Sequence, residues 1–383
     1  MRTAIIGAAL LLLGALAVVF GLIPSDALLD LVERTLPILA FVTAITVVAE
    51  LASAAGVFTA LAEVAARWGR GRTALLWALV VLLAVCCTVF LSLDTTAVLL
   101  TPVVVLLARH IGVAPLPFAL ATVWLANTAS LLLPVSNLTN LLAEHRMGVD
   151  SPAEFASLTA LPALVAVLIP VLILAIVFRR ALRGRYEVGE RTPIEDRALF
   201  VIAVVVLVLL LPALVSGLEV WIPATVAAIV LAIAFAVRRR SALSFSLLPW
   251  QLLLFAGGLF LVMEAAHGLG LGAVLAAVAG EGDGPLALLR VAASGMVSAN
   301  LVDNLPAYLA LEPSAGSPER FVALLIGVNA GPLITPWASL ATLLWHQRLR
   351  ALDVEISWRR YALLGLVAAP VTVLAATLAL SLV

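Results

Sequence analysis

The stretch that decides how this chain is read is Asn127-Thr128-Ala129-Ser130-Leu131-Leu132-Leu133-Pro134-Val135-Ser136-Asn137-Leu138-Thr139-Asn140-Leu141-Leu142. It lies inside an apolar region, yet it carries three asparagines, four hydroxyls and a proline. Hydrocarbon offers such groups no partner, and the proline frees a carbonyl as well. Irregular polar backbone persists at membrane depth only inside protein or along a cavity. The stretch recurs without a gap as Asn329-Ala330-Gly331-Pro332-Leu333-Ile334-Thr335-Pro336-Trp337-Ala338-Ser339-Leu340-Ala341-Thr342-Leu343-Leu344. Asn127 matches Asn329, Pro134 matches Pro336, Asn137 matches Ser339, and Leu138, Leu141 and Leu142 match Leu340, Leu343 and Leu344. Paired interrupted segments in the two halves of an apolar chain point to the substrate site of a transporter.

Composition sets the surroundings. With 64% hydrophobic and 11% charged residues, the chain reads as a polytopic helical membrane protein. Zero formal net charge, with no basic cluster interleaved with aromatics, speaks against nucleic acid as a partner. All 22 basic residues are arginine. The absence of lysine excludes a Walker-A nucleotide site, a Schiff base and a lysine general base. Energy coupling must then come from an ion gradient or a separate subunit. No HExxH or GxSxG pattern is present, so the chain reads as a non-enzyme without a cofactor. The adjacent Cys86 and Cys87 lack metal-site spacing and read as small buried packing residues.

Hydropathy predicts spans at 4–23, 36–57, 117–142, 158–178, 198–216, 220–237, 250–270, 321–344 and 361–383. Residues 74–107 and 285–311 are apolar but broken by polar tips, Ser92 to Thr96 and Asn300 to Pro306. Two half-length arms around each tip suggest re-entrant hairpins. The first span reads as a retained helix rather than a cleaved signal. The loops bearing Arg67, Arg70 and Arg72, Arg179 to Arg185, and Arg238 to Arg240 read as cytoplasmic. After the duplicated stretches, loop 143–157 holds only Arg146, whereas 346–360 holds Arg348, Arg350, Arg359 and Arg360. Equivalent loops are thus expected on opposite sides. Phe41, Glu50 and Gly56 also repeat the spacing of Phe255, Glu264 and Gly270. The expected fold is an all-α polytopic membrane protein with two inverted-topology repeats, re-entrant hairpins and discontinuous helices. Its parts are an N-terminal span and connection, 1–35, a first repeat, 36–178, a cytoplasmic loop with two connector spans, 179–249, and a second repeat, 250–383.

Unwound segments would aim side chains, amides and carbonyls at a bound species. The candidate substrate ligands are Asn127, Thr128, Ser130, Ser136, Asn137 and Thr139 in one half, and Asn304, Asn329, Thr335, Ser339 and Thr342 in the other. Simple glue between helices is the competing reading. Asp94, Thr95 and Asp303 at the tips, with Glu50 and Glu264 on the opening helices, are the candidate proton or ion carriers. Carboxylates at membrane depth cost about 2.5–3.5 kcal/mol and usually serve function, although one solvated at the interface would not. His267, one turn beyond Glu264, extends a proton path or sits at the boundary. Arg290, Arg109, His110, Trp221, Trp250, Trp345 and Trp358 read as interface anchors.

The strings SLLLPVSNLTNLL, ANLVDNLP, GPLITPWASLATLLWHQRL and ISWRRYALLG, with ARWGRGRTALL and WQLLLFAGGLFLV, resemble the arsenite permease family. That family lies within the ion transporter superfamily that includes the sodium/dicarboxylate symporters. The resemblance runs from about residue 36 onward. Two tips depart from it: the family's usual Ser-Asn-Asp is Ser92-Leu93-Asp94 here, and its Asn-Asn-x-Pro is Asp303-Asn304-Leu305-Pro306. The resemblance implies proton-driven efflux of arsenite or antimonite across the plasma membrane by alternating access, with a soluble ATPase subunit or a second copy as further partners. A sodium-coupled anion or dicarboxylate symporter, a sodium/proton antiporter, and a channel or anchoring subunit are the alternatives.

Overall fold

The structure, a computed structural model, describes residues 2–149, 151–189 and 192–382, and all its regular elements there are helices. Gly56 and Gly270 each adopt a left-handed conformation, φ +88° and +97°, and turn an opening helix into a short second one. The first unit is α1 (Arg2–Val19), α2 (Ser25–Ala54), α3 (Val57–Trp68), α4 (Thr73–Leu91) and α5 (Leu93–His110). It continues with α6 (Leu116–Thr128), α7 (Leu138–Met147) and α8 (Pro152–Val177). Two connectors follow, α9 (Arg197–Ala213) and α10 (Trp221–Arg238). Then come α11 (Trp250–Gly268), α12 (Leu271–Ala279), α13 (Pro285–Val302) and α14 (Asn304–Leu311). The last are α15 (Pro318–Ala330), α16 (Leu340–Ala351) and α17 (Trp358–Leu380). The series α2 to α8 is matched, helix for helix, by α11 to α17.

Eight described helices are long and apolar enough to cross a membrane. The α2 helix, at 30 residues, is about 45 Å long. Its partner along the length is α10, while α1 lies along α11. Gly7 and Gly258 let the latter pair touch backbone to backbone: a Cβ at Gly7 would stand 2.7 Å from the Phe255 nitrogen, one at Gly258 2.4 Å from that of Leu11. The closing helices α8 and α17 pack on one another. In the middle, α6 touches α16 and α15 touches α7, so each interrupted segment is held by the other.

Each polar tip sits at the turn of a helical hairpin. Thr73 at the start of α4 donates its amide to Gly184 O at 3.1 Å, and Arg109 near the end of α5 reaches Asp353 O at 3.0 Å. Arg360 stacks 5.8 Å over Phe178, and Tyr186 bonds Gly71 O and Ala66 O. The arginine-bearing loops therefore gather on one face, and α4 and α5 both end there. On the opposite face, Ser317 bonds Asp283 at 2.6 Å and Arg320 donates to the Gly280 and Gly282 carbonyls, closing the α13–α14 hairpin. The first hairpin's arms are 19 and 18 residues, full helices rather than half-length ones. The second pairs an 18-residue arm with one of 8.

Two further expectations are corrected. Only Cys87 is buried; Cys86 faces outward from the bundle, because successive helical positions point about 100° apart. Trp345 is no interface anchor: it is fully buried, and its indole N–H donates to Ala119 O at 2.9 Å. Breaking the span moves its second half into the core.

Candidate functional site between the interrupted helices

Each interrupted stretch contains proline, which has no N–H to give and so works against a continuous helix through the break. α6 stops at Thr128 and the chain winds through short turns to Asn137, extended at φ −153°, which caps α7 by accepting the Thr139 amide at 3.3 Å. In the duplicate, Ser339 is extended at φ −150° ahead of α16. Each hairpin is stapled to the break of its own half by the residue three positions before its tip. Ser136 donates to Val89 O at 2.8 Å; Thr335 donates to Asn300 O at 2.8 Å, and Asn300 Oδ1 accepts the Thr335 amide at 3.0 Å.

The tips are backbone breaks of one kind. Ser92 has φ +94°, ψ 159° and Asp303 φ +129°, ψ 156°, a region that side chains avoid at a cost of about 1–3 kcal/mol. Each closes one helix and caps the next. Ser92 Oγ accepts the Thr95 amide at 3.5 Å, and Asp303 Oδ1 accepts that of Leu305 at 3.1 Å.

Tips and breaks enclose a central cavity of about 60 Å³. Asp94, Asp303, Asn137, Asn304 and Ser339 line it, and none of its described lining residues is basic. Around it, the two halves are asymmetrically bonded. Asn329 Oδ1 accepts from Asn137 Nδ2 at 2.9 Å and Thr139 Oγ1 at 3.0 Å, and Asn329 Nδ2 donates to Asn140 Oδ1 at 2.6 Å. Its counterpart Asn127 donates only to Val123 O in its own helix. Asn127 Oδ1, Thr128 Oγ1 and Ser339 Oγ are buried with no hydrogen-bond partner among the described residues. Unpaired buried polar atoms are costly and rare.

A family model described as citrate transporter matches residues 2–342. The chain belongs to the citrate transporter family. Within that setting it is 30% identical to the arsenical pump membrane proteins of Yersinia enterocolitica and of Escherichia coli K12, over 85% of this chain and 81% of each of theirs. A putative arsenical pump membrane protein of Bacillus subtilis is 26% identical over 75% of this chain and 74% of its own. The YdaH transporter of Alcanivorax borkumensis, whose crystal structure shows an unusual topology, has the same fold: TM-score 0.59 over 100% of this chain and 97% of that one, at 14% identity. The chain is a multi-pass membrane transporter.

The structure brings Asp94, Asp303, Asn137, Asn304 and Ser339 to one cavity. Asn127, Thr128, Ser130, Thr139, Asn329 and Thr342 are buried around it, while Ser136 and Thr335 serve as staples. Thr95 donates to Leu91 O at 2.8 Å, within its own hairpin. Glu50 stands outside, in a neighbouring vestibule with Arg348, and Glu264 does not reach the cavity. Arg290 is occupied in capping α12, donating to the Val278 and Ala277 carbonyls. Sequence reasoning counted Asn140 among the asparagines of the opening stretch and placed Asn300 at the second tip, but gave neither a role. It overlooked the cluster of Arg34, Arg146 and Glu312, which has no local signature at all.

Proposed function

We propose that this chain exports arsenite or antimonite in exchange for protons, by alternating access between two inverted repeats, 36–178 and 250–383, joined through 179–249. The observation that carries the cargo class is the central cavity: small, with two aspartates and several amide or hydroxyl groups set among apolar side chains, and free of basic lining among its described residues. A citrate or dicarboxylate anion would meet like charge there. A neutral trihydroxide suits hydroxyl and amide partners such as the unpaired Ser339 Oγ. Two carboxylates buried without a counter-ion are costly, which favours protons, or a sodium ion, as the coupled species. Asp94 and Asp303 are the proton carriers in this reading. The inversion is supported by the basic loops: 346–360 contacts the face of Arg109 and Phe178, whereas Arg146 of loop 143–157 pairs with Glu312 across the molecule. The arginine-bearing face would be cytoplasmic, in the plasma membrane.

Everted vesicles carrying the purified protein and an imposed proton gradient should accumulate arsenite. Folded protein that takes up none, under any proton gradient, overturns the cargo. Sodium-dependent citrate or succinate uptake would select the symporter reading, and sodium/proton exchange without arsenite the antiporter. Copurification and the mass of the detergent-solubilised protein test the remaining partners, a soluble ATPase subunit and a second copy.

A further inference from the structure

Three cavities lie in file along α2. On the face opposite the arginine loops, a vestibule of about 540 Å³ touches Arg34, Pro37 and Ile38. The central cavity touches Phe41, Val42, Ile45 and Thr46. On the arginine-bearing face, a vestibule of about 330 Å³ touches Thr46, Ala49 and Glu50. The central cavity shares Thr46, Asp94, Leu252 and Leu340 with the Glu50 vestibule, but only Leu141 with the Arg34 vestibule. Buried Ile38, Phe41 and Leu141 fill the step between the latter two.

Above that apolar step sits an ion cluster joining the two halves. Glu312, at the end of α14, is 5% exposed, and its Oε1 receives Arg34 Nη1 of α2 at 3.4 Å, Arg146 Nε of α7 at 3.6 Å and the Tyr308 hydroxyl at 3.2 Å. On the arginine-bearing face, the described ion pairs, Arg238–Asp196 and Arg239–Glu195, lie within the 179–249 segment and do not join the halves. Glu50 of α2 and Arg348 of α16 instead line the same open vestibule without an ion pair between them. The two arginines are duplicates: Arg146 follows Asn127, and Arg348 follows Asn329, by the same 19 residues.

We infer that Arg34, Arg146, Glu312 and Tyr308 form a closed gate on one side of the cargo cavity, and that Glu50 and Arg348 form its open counterpart on the other. Opening towards the Arg34 vestibule requires Glu312 to leave its two arginines, and closure behind the cargo brings Arg348 to Glu50. Removing the Glu312 charge leaves the buried Arg34 guanidinium without its counter-ion and frees the half-exposed Arg146, so it favours the state in which that gate is apart. The inference rests on the alternating-access part of the proposed function and not on the cargo.

The test uses the full chain with Cys86 and Cys87 replaced by serine and one reporter, Leu138→Cys, in the central cavity. A membrane-impermeant maleimide should label it from the arginine-bearing face and scarcely from the other. Glu312→Gln should raise the rate from the Glu312 face at least tenfold; an unchanged rate in folded protein overturns the gate. Arg348→Gln should not raise that rate, and an equal rise there also overturns it. Should Glu312→Gln fail to fold, Arg146→Cys with Glu312→Cys joined by a short bifunctional thiol reagent answers the same question. The joined protein must stay closed to a fluorescent maleimide on that face; labelling there sinks the gate. Arsenite uptake by the unmodified chain is scored separately, so a normal labelling pattern with no arsenite transport removes the cargo and leaves the gate standing.

Discussion

Asn329 Nδ2 donates to Asn140 Oδ1 at 2.6 Å, while Asn329 Oδ1 accepts from Asn137 and Thr139. One amide of the second half thus closes on three side chains of the first, within fully buried surroundings. The same residue in the first half, Asn127, spends its amide on its own helix and leaves Oδ1 unpaired. The two asparagines occupy duplicated positions but stand in different bonding states: Asn329 clamps the two halves together, and Asn127 keeps an acceptor with no partner among the described residues.

Substitution should expose that difference. Asn329→Ala leaves Asn140 Oδ1, Asn137 Nδ2 and Thr139 Oγ1 short of a partner, at about 1–3 kcal/mol for each buried group left unsatisfied. Asn127→Ala breaks one bond inside a helix, worth about 1 kcal/mol. Thermal unfolding in detergent should therefore fall clearly for Asn329→Ala and little for Asn127→Ala, while arsenite transport falls in both. Equal melting curves would remove the distinction.

Much of this arrangement was legible from residues alone, for a physical reason. Proline and asparagine inside an apolar run violate the demands of hydrocarbon so strongly that Asn127 to Leu142 and Asn329 to Leu344 identify themselves. The tips at Ser92 and Asp303 were readable on the same ground. The pairing of Arg34 and Glu312 was not, since those residues are 278 positions apart and each alone resembles a solvated loop charge. Trp345 misled because an aromatic near a span's end is normally interfacial; only the break places it beneath Ala119. Cys86 and Cys87 share composition but not direction, and which of them meets the core depends on how α4 is rotated against its neighbours.

Asp303 combines a positive φ with a capping bond to Leu305. Asparagine has the same shape as aspartate, so it meets the same backbone cost and keeps the accepting oxygen. Asp303→Asn should fold normally and retain cargo exchange while losing proton-driven accumulation. Asp303→Ala loses the cap as well, at about 1 kcal/mol, and should be lower in both. Transport in proteoliposomes with and without a proton gradient checks this, and equal, complete loss in two well-folded variants would contradict it.

On the arginine-bearing face, Asp196 caps α9 and takes Arg238 Nε at 2.8 Å. That hydrogen bond, followed by the Leu199 and Ala198 amides, holds the carboxyl below the usual carboxylate range. A depressed value means the stabilisation is complete above the unfolded-state value, about 3.9, and is lost as pH falls through the lower folded one. Melting curves of the parent and Asp196→Asn should differ by a constant amount from pH 7 down to about 5 and converge only at lower pH. A difference that vanishes between pH 7 and 6 would show that another group sets it.

Gly365 tests whether the second break needs its close support. It lies on α17 directly against the unwound backbone, where a Cβ would stand 1.9 Å from Leu333 O and 2.6 Å from Leu333 C. Both are main-chain atoms, so no side chain can swing aside, and the break or the whole of α17 must shift. Overpacking of this kind costs about 1–3 kcal/mol. The displacement would also reach the Thr335–Asn300 staple just beyond Leu333. Gly365→Ala should therefore lower the melting temperature and abolish transport. Gly257→Ala, where an added Cβ meets open space, should do neither. Normal transport by Gly365→Ala would mean that α17 yields freely, and that the break does not depend on its backing.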